Sequence, residues 1–162
     1  MKRIALVGAM LLSGCGSQGV PSWSVKPEGS FTPGGQSVLN LAVRIDGYAR
    51  DGRLIEAAGA AVKQVGADMI GGRPPVKGPF KAINFMVYAP RAQADASTDG
   101  RVMHLSYDAM ELRHAVHMGM DGDAILAGGT DLGWWSPSND DIIADYCTTR
   151  QGGAFCSRVA AD

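Results

Sequence analysis

The apolar residues change their period twice between residues 38 and 107, and nothing else in the chain constrains its fold as much. Val38–Ile45 (VLNLAVRI) alternates, with Leu39, Leu41, Val43 and Ile45 on one side and Asn40 and Arg44 on the other. A period of two is that of a strand with one buried face. Leu54, Ala58, Ala61, Val62, Val65 and Met69 then recur at helical spacing and make a single stripe. The period returns to two in Lys81–Ala89 (KAINFMVYA), where Ile83, Phe85 and Val87 alternate with Asn84, Met86 and Tyr88. It stays at two in Arg101–Tyr107, with Met103, Leu105 and Tyr107 inward and His104 outward. The order so far is strand, helix, strand, strand.

Turn residues punctuate these segments. Asp46-Gly47 and Asp51-Gly52 are turn signals. Asp51 suits an N-cap for the helix, although Gly59 inside it lowers helix propensity. A hairpin through Asp51-Gly52 before a shorter helix is the alternative. Gly71 to Pro75 is a loop, Pro90 ends the second strand, and Arg91 to Gly100 is a polar connector, so strands two and three form a hairpin. Asp108–His117 starts acidic and ends basic, as a short helix dipole favours. The alternation of Leu112, His114, Val116 and Met118 also fits a strand. Asp121-Gly122-Asp123 reads as a turn, Ala124–Ala127 as a short fourth strand and Gly128–Trp135 as loop. Ser138 to Asp141 resembles a capping box that opens a helix over Ile142–Thr149. The expectation is an α+β domain, a small antiparallel sheet with two or three helices in split βαβ (ferredoxin-like) order.

The N-terminus has a different character. Met1-Lys2-Arg3 is basic, and Ile4–Leu12 is nine residues without a polar or charged side chain. Spanning a bilayer takes roughly 20 helical residues, so this stretch reads as an export signal rather than a transmembrane helix. Leu12-Ser13-Gly14-Cys15 follows, and it resembles the lipobox of bacterial lipoproteins. The resemblance covers only the first 15 or so residues. It implies that residues 1–14 are a signal peptide, that Cys15 carries a diacylglycerol, and that the bilayer is the first partner. Gly16 stands where Asp commonly favours inner-membrane retention in such lipoproteins. The resemblance therefore implies an outer membrane position facing the periplasm. Residues 16–37 are rich in Gly, Pro and Ser and read as a tether, with Trp23 and Phe31 as its aromatics. The resulting division is signal 1–14, anchor and tether 15–37, and a single domain over 38–162.

Export bears on the remaining cysteines. Cys147 and Cys156 are an even pair in an oxidising compartment, separated by eight residues that include Gly152-Gly153. They read as a disulfide. Removing residues 1–14 leaves 13 basic and 16 acidic side chains, a net charge of −3. No basic stripe is present, so nucleic acid is not an expected partner.

Motifs for chemistry are sparse. The chain has no Gly-x-Ser-x-Gly elbow, no phosphate loop and no Gly-x-Gly-x-x-Gly after a strand. No cofactor is expected, and the leading reading is a non-catalytic envelope lipoprotein that binds or scaffolds another envelope component. The alternative is a periplasmic copper-binding protein. It rests on His114, His117, Met118 and Met120, with His104, Met103 and Met110 near in sequence. Imidazole and thioether are donors that suit copper, the thioethers Cu(I) in particular. Against it, methionine is usually core filler. Asp121-Gly122-Asp123 lacks the spaced acidic ligands of a calcium loop. Trp134-Trp135, in a loop before Pro137, is the most conspicuous aromatic pair and a candidate partner contact.

Overall fold

The alternating stretches become neighbouring strands. The computed structural model describes residues 19, 21–32, 36–46, 53–90, 99–132, 146–148 and 153–161. In chain order these include β1 (Trp23–Phe31), β2 (Val38–Ile45), α1 (Arg53–Ile70), β3 (Ala82–Pro90), β4 (Asp99–Asp108), α2 (Ala109–His117), α3 (Gly122–Gly128), β5 (Thr130–Asp131) and α4 (Ala154–Val159). Residues 146–148 are also helical. The domain is α+β, built on a five-stranded sheet in the order β1-β2-β3-β4-β5.

The sheet is mixed rather than antiparallel. β2 and β3 are parallel, while β1, β4 and β5 each run antiparallel to their neighbours. Parallel neighbours need a crossover, and α1 provides it. Because β2 and β3 are hydrogen-bonded directly, no strand splits this βαβ unit. The split order expected from the sequence is therefore not formed. An element string of β-α-β-β fits both arrangements, and only pairing tells them apart.

Two segments differ from their sequence reading. Trp23–Phe31 lies in the stretch read as tether, yet it pairs along β2 from Trp23↔Ile45 to Phe31↔Val38. Its Gly, Pro and Ser content hid a short alternation in which Trp23 and Val25 pack against the core. Pro27 is tolerated because β1 is an edge strand, and a register shift between Pro27 and Gly29 absorbs the irregularity. Ala124–Ala127, read as a strand, lies inside α3. A four-residue apolar run does not fix its own period. Here Asp121 decides, its carboxylate accepting from the Ala124 N–H at 2.9 Å as the N-cap.

One face of the sheet carries the core. Leu41, Val43, Ile83, Phe85, Val87, Met103 and Leu105 are fully buried, and Leu54, Ala58, Ala61, Val62 and Val65 of α1 belong to the same cluster. Burying one such large side chain contributes about 1.5–3 kcal/mol. The other face aligns Asn40, Asn84, Ser106 and Thr130 in one cross-strand row. Asn84 Nδ2 donates to Asn40 Oδ1 at 3.0 Å, and the Arg44 guanidinium lies 5.1 Å from the Tyr88 ring centre.

α1 is the hub of the helical layer. Gly59 is the residue that lowered its helix propensity, and it is where α3 crosses. A Cβ there would lie 2.8 Å from the Gly122 carbonyl oxygen. The local cost of glycine, about 1 kcal/mol against alanine, is offset by the close approach it permits.

α3 and α4 lie side by side and satisfy each other's ends. Gly153 caps α4 without a side-chain hydrogen bond. Asp123 supplies the missing acceptor: its Oδ2 accepts from the Phe155 N–H at 3.2 Å and its Oδ1 from the Tyr146 hydroxyl at 2.8 Å. At the other end the Arg158 guanidinium donates to the carbonyls of Leu126, Ala127 and Gly129 at the C-terminal end of α3, where the Leu126 carbonyl also accepts from the Gly129 N–H. The Cys147–Cys156 disulfide, with its Cα atoms 5.4 Å apart, closes this corner.

Candidate functional site

Helix α2 and its junction with α3 carry most of the unspent chemistry. α2 begins at Asp108, whose Oδ1 accepts from the N–H groups of Met110 and Glu111 at 2.8 and 3.1 Å. It ends in a Schellman turn. The Gly119 N–H donates to Val116 O at 3.0 Å, and the Met120 N–H donates to Ala115 O at 3.1 Å. That turn requires a left-handed residue, and Gly119 supplies it at φ 76°. Both ends of this nine-residue helix are thus fixed.

The turn folds Met120 back towards the helix it has just left. There it helps line a cleft of about 170 Å³ between α2 and α3, with Leu112, Ala115, Ile125, Tyr107 and Glu111. The walls are mostly apolar. Tyr107 is buried, and its hydroxyl donates to Ile125 O at 3.1 Å. Burial pushes its phenol above the ordinary value, with the Arg158 guanidinium acting weakly in the other direction. The phenol is therefore a fixed strut between β4 and α3. Glu111, exposed on α2, gives the cleft its negative charge. The chemistry suits an apolar group of side-chain size beside a basic one.

The structure divides the His/Met set expected from the sequence. His104 lies on β4 opposite Met86, on the sheet face away from Met103 and the core, with both ring nitrogens buried. Met120 belongs to the cleft. His114 and His117 are exposed on α2, and Met118, its C-cap, is 65% exposed. These three stay together. Among the described residues no three His, Cys, Asp or Glu side chains converge to hold a metal. Asp121 and Asp123 serve as helix caps, as described above.

Cys147 and Cys156 are joined. Cys15, Trp134 and Trp135 lie outside the described residues, as does the capping box at Ser138. The sequence pattern did not single out Met110, which is 76% exposed on α2. Its spacing of four from His114 was the available signal. The cleft had no local signal, because α2, α3 and β4 meet only in the folded chain. No family model, no curated protein and no solved structure matches this chain.

Proposed function

We propose that this protein is an exported lipoprotein, acylated at Cys15, whose folded domain binds or scaffolds another component of the cell envelope without catalysing a reaction. The observation that carries the reading is Leu12-Ser13-Gly14-Cys15, placed directly after a basic start and a short apolar stretch. The Cys147–Cys156 disulfide supports it, since such bonds persist in oxidising compartments. An acyl anchor is sufficient for membrane attachment. Each buried methylene contributes about 0.8 kcal/mol, and two or more chains hold a protein stably. No helix among the described residues is long and apolar enough to cross a membrane. Gly16 in place of Asp supports sorting to the outer membrane. A binding role is supported by the α2/α3 cleft, whose walls are apolar and whose phenol is committed to Ile125.

Metabolic labelling with an alkyne fatty acid tests the anchor. The wild-type protein takes the label and sediments with membranes, whereas Cys15→Ser takes none and is released. Equal labelling of both forms would refute acylation at this residue.

A further inference from the structure

We propose that the outer face of α2 is a binding site for a soft monovalent cation, Cu(I) or Ag(I), held by His114, His117 and Met118. The site does not depend on acylation of Cys15. These residues occupy positions i, i+3 and i+4 of one helix and its C-cap. At 3.6 residues per turn they fall within an arc of about 100°. Side chains three or four positions apart on a helix have Cβ atoms about 5–6 Å apart. His114 lies one turn before His117 and Met118, whereas Met110, eight positions and about 12 Å along the axis from Met118, is out of reach of an ion held there.

Packing gives these methionines no role. Leu112 and Ala109 are the buried residues of α2, and with Val116, which packs against the core, they occupy the opposite side of the helix. Met110 and Met118 are 76% and 65% exposed. Methionine is normally spent on filling irregular core space, yet here two flank an imidazole pair in water. A purely apolar docking face would have no use for the two histidines between them.

The donor set selects the ion. Thioether sulfur is a soft, neutral donor and imidazole nitrogen a borderline one, so the three together suit Cu(I) more than Mg²⁺ or Ca²⁺. No carboxylate or thiolate lies among the three donors to neutralise a divalent charge. Cys147 and Cys156 do not compete, because they are bonded to each other. Binding is simple ligation. The sulfur and each unprotonated ring nitrogen donates a lone pair, and no electron or proton is transferred.

The helix is also a firm platform. Asp108 fixes its first turn, and the Schellman turn at Gly119 fixes its last. The donors are therefore displayed at constant spacing, and only their side-chain rotamers need to settle on binding.

The test uses the full chain carrying Cys15→Ser, with the disulfide intact. Silver nitrate is titrated by calorimetry in chloride-free buffer, and Cu(I) by anaerobic competition with bicinchoninate. One equivalent of each ion is expected to bind. The Met118→Leu and His114→Ala/His117→Ala variants should each bind at least tenfold more weakly, with far-ultraviolet dichroism unchanged. Met120→Leu, in the cleft, should bind within twofold of the parent, and Zn²⁺ should bind more weakly than Ag(I). No saturable binding at micromolar protein would overturn the proposal. So would wild-type affinity in both of these variants.

Discussion

Helices α1 and α2 are neighbours in one layer, yet their sequences answer to different demands. α1 is an 18-residue helix with ten buried positions, and small residues mark where other helices cross it. Gly59 meets the backbone of Gly122, and a Cβ on Gly66 would come within 2.7 Å of Val116. Only two residues of α2 are buried, and its outward side carries Met110, His114, His117 and Met118. In α1 ten of the eighteen residue choices follow from packing. Among the described residues, those on the outer side of α2 add no buried contact to the core, so their chemistry calls for another explanation. A residue that breaks a local preference and gains no packing is where a functional reading is strongest.

The comparison breaks first at Gly59. Gly59→Val places a branched side chain against the Gly122 backbone, which cannot move aside as a flexible side-chain end can. The expected loss is about 3 kcal/mol or more, read from the urea unfolding midpoint. A variant as stable as the wild type would show that the α1–α3 approach is not tight. Next in size is the C-terminal clip. Cys147→Ser/Cys156→Ser opens a loop of sequence separation nine. The chain-entropy relation gives a loss of roughly 2.5–3 kcal/mol, seen as the gap between oxidised wild type and variant.

A smaller effect comes from Tyr107, whose raised phenol value couples folding to alkaline pH. The unfolded phenol loses its proton near pH 10 while the buried one keeps it. Above that pH the folded state holds the extra proton, so stability falls as pH rises, by up to about 1.4 kcal/mol per pH unit. Below it, this contribution is constant. Unfolding midpoints between pH 8 and 11 should show that added alkaline loss in wild type and lack it in Tyr107→Phe. Parallel curves would mean the phenol is not held in its protonated form.

Much of the fold was legible wherever a segment was long enough to state its own period. β2, β3, β4 and α1 are such segments, and Asp108 marked the start of α2 correctly. β1 was hidden because Pro27 and Gly29 are acceptable in an edge strand but also typical of a linker. α3 was hidden because Ala124–Ala127 fits either period, and its helical state rests on Asp121 one step outside the run. β5 is two residues long and exists only because β4 offers it an edge. Strand order was not legible, since direct pairing of β2 with β3 is a tertiary choice. Of the candidate site, the His114–His117–Met118 grouping could be read from helical spacing. The separation of His104 and Met120 from it could not, because it depends on sheet orientation and on the turn at Gly119.

The central claim is that the outer face of α2 is free of structural duty. It is tested most directly by urea unfolding of the Met110→Ala/His114→Ala/His117→Ala/Met118→Ala variant beside the wild type, without added metal. Exposed positions usually change stability by no more than about 0.5 kcal/mol each, and alanine is a good helix former. The account predicts an unfolding free energy within about 1 kcal/mol of wild type, with an unchanged slope. A loss of about 3 kcal/mol, comparable to that from filling Gly59, would contradict it and assign these four side chains to the fold.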